Sequence, residues 1–91
     1  MGVPRNVTVG TTPTRLCLKN AYRKGLQIQN KDSSVTVYLG GNSVSASGDL
    51  QGLAVLPTEL WSWNIQDEGR KYEWYGIVAS GTATVCVQED T

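Results

Sequence analysis

The chain reads as all-β, a single small β-sandwich or jelly-roll-like barrel of roughly seven to eight short, mostly antiparallel strands. Three observations predict this. Apolar and polar residues alternate with period two almost throughout, and no segment sustains a helical period. Turn-forming clusters of Gly, Asn, Asp, Ser and Pro interrupt the alternation at intervals of about ten residues. The segments Gly25–Gly41 and Trp74–Glu89 each show two alternating runs around a polar turn. A chain of 91 residues has the size of one domain, here residues 1–91, with 1–5 as an extended N-terminal arm and 90–91 as a tail.

Each element follows from its own pattern. Asn6–Val9 is a short first strand, and Thr14–Lys19 a second with Leu16 and Leu18 on one face and Arg15 and Cys17 on the other. Gly25–Gln29 turns Leu26 and Ile28 inward. The polar turn from Asn30 to Ser34 leads to a strand carrying Val35, Val37 and Leu39 on one face, so the two strands read as a hairpin. Gly40-Gly41-Asn42 ends that strand. The polar stretch Ser43–Gly52 is the longest loop and the expected mobile region. Leu53–Leu56 is a strand stopped by Pro57, and Glu59–Ile65 alternates with Trp61, Trp63 and Ile65 on one face. After the turn Asp67-Glu68-Gly69, Lys71–Ala79 and Thr82–Gln88 form a second hairpin around Ser80-Gly81.

Charge and composition narrow the function. Eight basic and eight acidic residues cancel, and the densest basic cluster is only Arg23-Lys24 backed by Lys19. Neither nucleic acid nor an anionic membrane is an expected partner, since phosphate contacts need positive charge gathered on one face. The longest apolar run is too short to span a bilayer. Residues Met1–Asn6 show no secretory pattern, and Asn6 stands where a myristoylation motif wants Ser or Thr, so synthesis in a cytoplasm is the expectation. In that setting Asn6-Val7-Thr8 is a chance match to the glycosylation pattern.

Histidine is absent, which removes the commonest general base, the Ser-His and Cys-His nucleophile pairs, and the commonest transition-metal ligand. Two cysteines without histidine do not make an ordinary zinc site. Most carboxylates fall in turns or the tail, and Glu59 with Glu73 is the pair nearest the aromatic strands. No catalytic, cofactor or metal residues are assigned, and the chain is read as a non-enzyme that needs no cofactor. Cys17 and Cys86 each interrupt an aliphatic run. A bridge between them would require the second and last strands to pair, and free thiols are expected instead.

The candidate contact groups are therefore surfaces. Trp61, Trp63, Tyr72, Trp74 and Tyr75 are the one aromatic concentration. Alternation predicts burial for at least one of Trp61 and Trp63, and turns Trp74 away from Tyr75 and Ile77 toward solvent. Val3, Pro4 and Arg5 form an arm able to lie extended along a neighbour. Ser43, Val44, Ser45 and Asp49 form a contact loop.

The order of these segments resembles a group of small bacteriophage virion proteins. The shared succession is an arginine-led strand ending in Asn (Arg23–Asn30), then a strand with Val, Tyr and a hydrophobic residue before Gly-Gly (Val35–Gly41), and a Pro corner (Leu56–Glu59). A terminal strand pair with Ser-Gly-Thr-Ala at its turn (Trp74–Val87) closes it. The likeness covers roughly two-thirds of the chain, and Trp61-Ser62-Trp63 departs from it by being more aromatic. The resemblance implies a virion structural role as capsid decoration (cement), or as a head–tail or tail-associated component. It also implies contacts to the major capsid protein or other virion proteins, and a homo-oligomer, with a trimer favoured. The residues themselves leave a second reading open, a small carbohydrate-binding module stacking exposed Trp and Tyr on sugar rings.

Overall fold

The structure, a computed structural model, describes residues 4–90, so Val3 and the rest of the arm before Pro4, with the final Thr91, lie outside the described residues. Eight strands follow in order: β1 (Arg5–Val9), β2 (Thr14–Cys17), β3 (Gly25–Asn30), β4 (Val37–Gly40), β5 (Leu53–Val55), β6 (Leu60–Trp63), β7 (Trp74–Ile77) and β8 (Ala83–Asp90). Single 3-10 turns at Gly48–Leu50 and Glu68–Lys71 interrupt the loops.

The strands form two four-stranded antiparallel sheets, ordered β1-β8-β3-β6 and β2-β7-β4-β5. Each strand of the first half pairs with its mirror in the second: β1 with β8, β2 with β7, β3 with β6, β4 with β5. That is jelly-roll connectivity, a long ribbon folded once between β4 and β5 and then wrapped so that successive segments fall in opposite sheets. The core lies between the sheets, built from Val9, Leu16, Leu26, Ile28, Val37, Leu39, Val55, Val85 and Val87.

The expected inward faces of β3, β4 and β8 hold, but both hairpins are corrected. β3 and β4 belong to opposite sheets, as do β7 and β8. Period two tells which face of a strand is apolar, not which strand lies beside it. The β3–β4 corner shows the physical cause. Asn30, expected in a solvated turn, is fully buried. Its Nδ2 donates to the carbonyls of Val35 (2.7 Å) and Val55 (3.0 Å), and its Oδ1 accepts from the Asp32 amide (3.0 Å). The chain therefore crosses the core here instead of doubling back.

Two smaller readings also change. The register of β2 slips between Arg15 and Cys17, so Leu16 and Cys17 are both buried while Leu18 swings out to solvent. Cys86 sits on the outer face of the other sheet, opposite Asn6 and Gln29, and both thiols are free. Asp90 is not a tail residue but the end of β8, paired with Gly25.

On the far side of the same corner, the Asp32 carboxylate accepts from the amides of Ser34 (2.9 Å) and Val35 (2.8 Å), which holds its pKa below its ordinary value. The lowered value belongs to the folded state. Its stabilisation is therefore present above the unfolded-chain pKa and lost as pH falls through the folded one. In an NMR titration, the Ser34 and Val35 amide shifts should follow Asp32 with a midpoint below that of an unpaired aspartate. Replacement of Asn30 by Ala takes the donor from one buried and one partly buried carbonyl and should cost about 2–4 kcal/mol in urea unfolding. An unchanged midpoint would mean that the corner is held by something else.

Candidate interaction surface

The aromatic residues do not form an exposed patch. β6 pairs with β3 so that Trp61 lies opposite Ile28 and Trp63 opposite Leu26, and paired residues share a face. Both indoles are thus core-facing and half-buried at the sheet edge. Trp74 corrects the expectation of an exposed aromatic. Along β7 the inward position is Gly76, opposite buried Leu39, and a Cβ there would meet Leu16, Val37 and Val9 at 3.3–3.5 Å. Trp74, two residues away, shares that inward face. A glycine at the core position hid the phase of the strand.

The three indoles form a chain across the side of the sandwich. Ring centroids are 6.0 Å apart for Trp61–Trp63 and 5.0 Å for Trp63–Trp74, tilted by 43° and 40°. Trp74 Nε1 donates to the Gly69 carbonyl at 2.8 Å, and a Cβ on Gly69 would sit 3.0 Å from the Trp63 ring. Trp61 Nε1 reaches Glu59 at 3.1 Å. Ile65 lies beyond the end of β6 and is exposed. Of the aromatic candidates, Tyr72 alone is exposed, at 54%.

The other candidates divide as well. Pro4 is exposed, but Arg5 is not part of a free arm. It begins β1 opposite Val87, and its guanidinium donates to the Leu16 carbonyl and to Glu89. Within the expected contact loop, Ser43 and Asp49 are exposed, whereas Val44 is buried against Gly40 and Gly52. Ser45 bridges to Gln51, with its amide on the Leu50 carbonyl (2.8 Å) and its carbonyl receiving the Gly52 amide (3.1 Å). The loop closes on itself and is tied down rather than loose.

The sequence reading missed the centre of the site altogether. Arg23, a member of the densest basic cluster in the sequence, is 1% exposed. All five of its N–H donors find acceptors. Nε donates to Glu89 Oε1 (2.8 Å), Nη1 to the carbonyls of Arg70 (2.6 Å) and Tyr72 (3.2 Å), and Nη2 to the Leu18 carbonyl and Glu89. Arg70, also buried, returns a bond from Nε to the Arg23 carbonyl (2.9 Å) and ties Nη1 to the Asp67 carbonyl (2.9 Å). Glu89 faces inward because it pairs with Leu26, and without Arg23 its carboxylate would keep only the longer contact to Arg5 (3.4 Å). Beside it, burial pushes the Cys17 thiol pKa up while Sγ donates to the Tyr72 carbonyl at 3.7 Å.

This plug ties the β2–β3 loop to the segment before β7 and to the end of β8, and that loop exposes two large apolar side chains. Leu18 is 59% exposed and Tyr22 87%. Backbone bonds reinforce the hold: Asn20 N–H to Lys71 O (2.9 Å), Arg23 N–H to Asn20 O (3.2 Å), and Lys24 N–H to Asp90 O (2.6 Å). Beside the loop, where the edge strands β1 and β2 approach each other, opens a groove of about 480 Å³ lined by Arg5, Arg15, Cys17, Lys19, Arg23 and Glu89 among others. No protein-family model, curated protein or solved structure matches the chain.

Replacement of Arg23 by Met leaves the inward Glu89 with Arg5 as its one remaining arginine and takes a strong donor from the Leu18, Arg70 and Tyr72 carbonyls, and should cost about 3–5 kcal/mol of unfolding free energy. Arg23→Lys should recover little of it, because an ammonium cannot reproduce the five-donor fork. Wild-type denaturation midpoints in both variants would rule out the plug as a determinant of stability.

Proposed function

We propose that the chain is a structural protein of a bacteriophage particle that acts by adhesion rather than catalysis. Its first assignment is capsid decoration (cement), and otherwise a head–tail or tail component. The observation that carries this reading is the β2–β3 loop, a rim that presents Leu18 and Tyr22 to solvent and is hydrogen-bonded to the sandwich through the buried Arg23. Exposed tyrosine and leucine on a pre-ordered loop suit a protein interface, since ordering costs at the moment of binding are small. The jelly roll is shared by viral capsid and lectin domains, an analogy of fold that agrees with this reading without specifying it.

The partners in this proposal are the major capsid protein and further copies of the chain, with a trimer as the first oligomer to test. Neither a membrane nor nucleic acid has a part in it. Sugar stacking is the weaker reading, because the three indoles are half-buried and mutually tilted and offer no flat platform.

Purified particles should contain the chain at a copy number that scales with the major capsid protein, measured by quantitative mass spectrometry. Tyr22→Ala should leave unfolding free energy within about 0.5 kcal/mol of wild type while weakening particle association by about tenfold or more. Absence of the chain from particles would overturn the proposal.

A further inference from the structure

The groove beside the rim has a chemistry of its own. Its charged lining is Arg5, Arg15, Lys19 and Arg23 against Glu89, a local excess of positive charge on a chain whose total charge is zero. Glu89 is already engaged by Arg5 and Arg23. Among the described residues, no carboxylate lies within ion-pair distance of Arg15 or Lys19, and both are exposed. Two cations thus stand unpaired at the mouth of a concave site whose floor shows how a carboxylate is held there, between two guanidinium groups.

We infer that this groove receives a carboxylate-bearing, extended segment of a partner protein, with Arg15 and Lys19 pairing its acidic side chains and Leu18 and Tyr22 covering its apolar ones. The inference rests on the adhesion reading and names the chemistry of the partner. Three features favour a peptide. The apolar rim at Leu18 and Tyr22 has no use for a phosphate backbone but fits a mixed acidic and apolar segment. β2 is an edge strand with no sheet neighbour on one side, so an extended segment can lie along it although Arg5 and Arg23 already occupy the Leu16 and Leu18 carbonyls. Four of the eight basic residues line this one groove, with Lys24, Lys31, Arg70 and Lys71 outside it, while acids such as Asp32, Asp49 and Glu59 lie elsewhere on the chain.

The test uses the full chain, isotope-labelled, titrated with hexaglutamate and observed by amide NMR. The controls are hexaglutamine, inorganic phosphate and a short single-stranded DNA. Expected are saturable shifts confined to Arg15–Tyr22, Arg5 and Glu89, weakened by added salt, with no response to hexaglutamine. Arg15→Glu combined with Lys19→Glu, both on exposed side chains, should reduce hexaglutamate affinity by about tenfold or more with the spectrum of the fold preserved. Shifts elsewhere, no shifts at millimolar peptide, or an unaffected double variant would overturn the inference. So would tighter binding of DNA, or an equal response to phosphate alone. The particle copy number reads independently of this titration. A chain present in particles whose groove ignores hexaglutamate loses this inference and keeps the adhesion reading. A chain absent from particles whose groove binds it keeps the groove and loses the particle.

Discussion

The guanidinium of Arg23 is the constraint on which the rest of this molecule depends. Removing a cation from water costs several kcal/mol even after relaxation, and the cost is offset only when geometry and hydrogen bonding are complete. Here they are complete: one carboxylate and three backbone carbonyls accept all five donors. The acceptors come from the β2–β3 loop, the segment before β7 and the end of β8, so a single side chain fastens three stretches distant in sequence. An apolar residue in its place could fill the space but could not satisfy Leu18, Arg70 and Tyr72 at once. Arg70 reciprocates by bonding the Arg23 carbonyl, which makes the two arginines a mutual lock.

From that lock the surface follows. A jelly roll must close the ends of its sandwich, and the apolar residues of eight short strands do not reach that far. One end is closed by the ionic plug, and the flank by three indoles laid against the sheet edges. Glycine permits close approach at two points: Gly76 beneath Leu16, Val37 and Val9 in the core, and Gly69 where the chain passes over Trp63 on the flank. What remains for contact is the material left outside, which includes Leu18, Tyr22, Tyr72 and the charged groove as well as Leu50, Leu53, Leu56, Leu60 and Ile65.

Much of the fold was legible in the sequence. Period-two alternation correctly turned Leu26 and Ile28, Val37 and Leu39, and Val85 and Val87 inward, because half-buried strands write their burial into every second residue. Strand partners were not legible. Polar turns after β3 and β7 looked like hairpins, yet their chains cross between sheets, and only a buried Asn30 marks one crossing. Gly76 gave no hydrophobic signal at a core position, so the phase of β7 was misread and Trp74 with it. The bulge in β2 did the same to Cys17 and Leu18. The functional surface was the least legible part. An Arg-Lys dipeptide reads as solvated charge, and nothing local to Arg23 reveals that an inward Glu89, sixty-six residues on, awaits it.

Native-state hydrogen exchange at the amides of Asn20, Arg23 and Lys24 tests the lock most directly, since these three N–H groups close the β2–β3 loop onto Lys71, Asn20 and Asp90. If Arg23 fixes the rim, they exchange only through global unfolding, with the same opening free energy as the core amides of Leu26 and Ile28. If they exchange through a low-energy local opening while those core amides stay protected, the rim is a mobile loop, and the pre-ordered surface argued here does not exist.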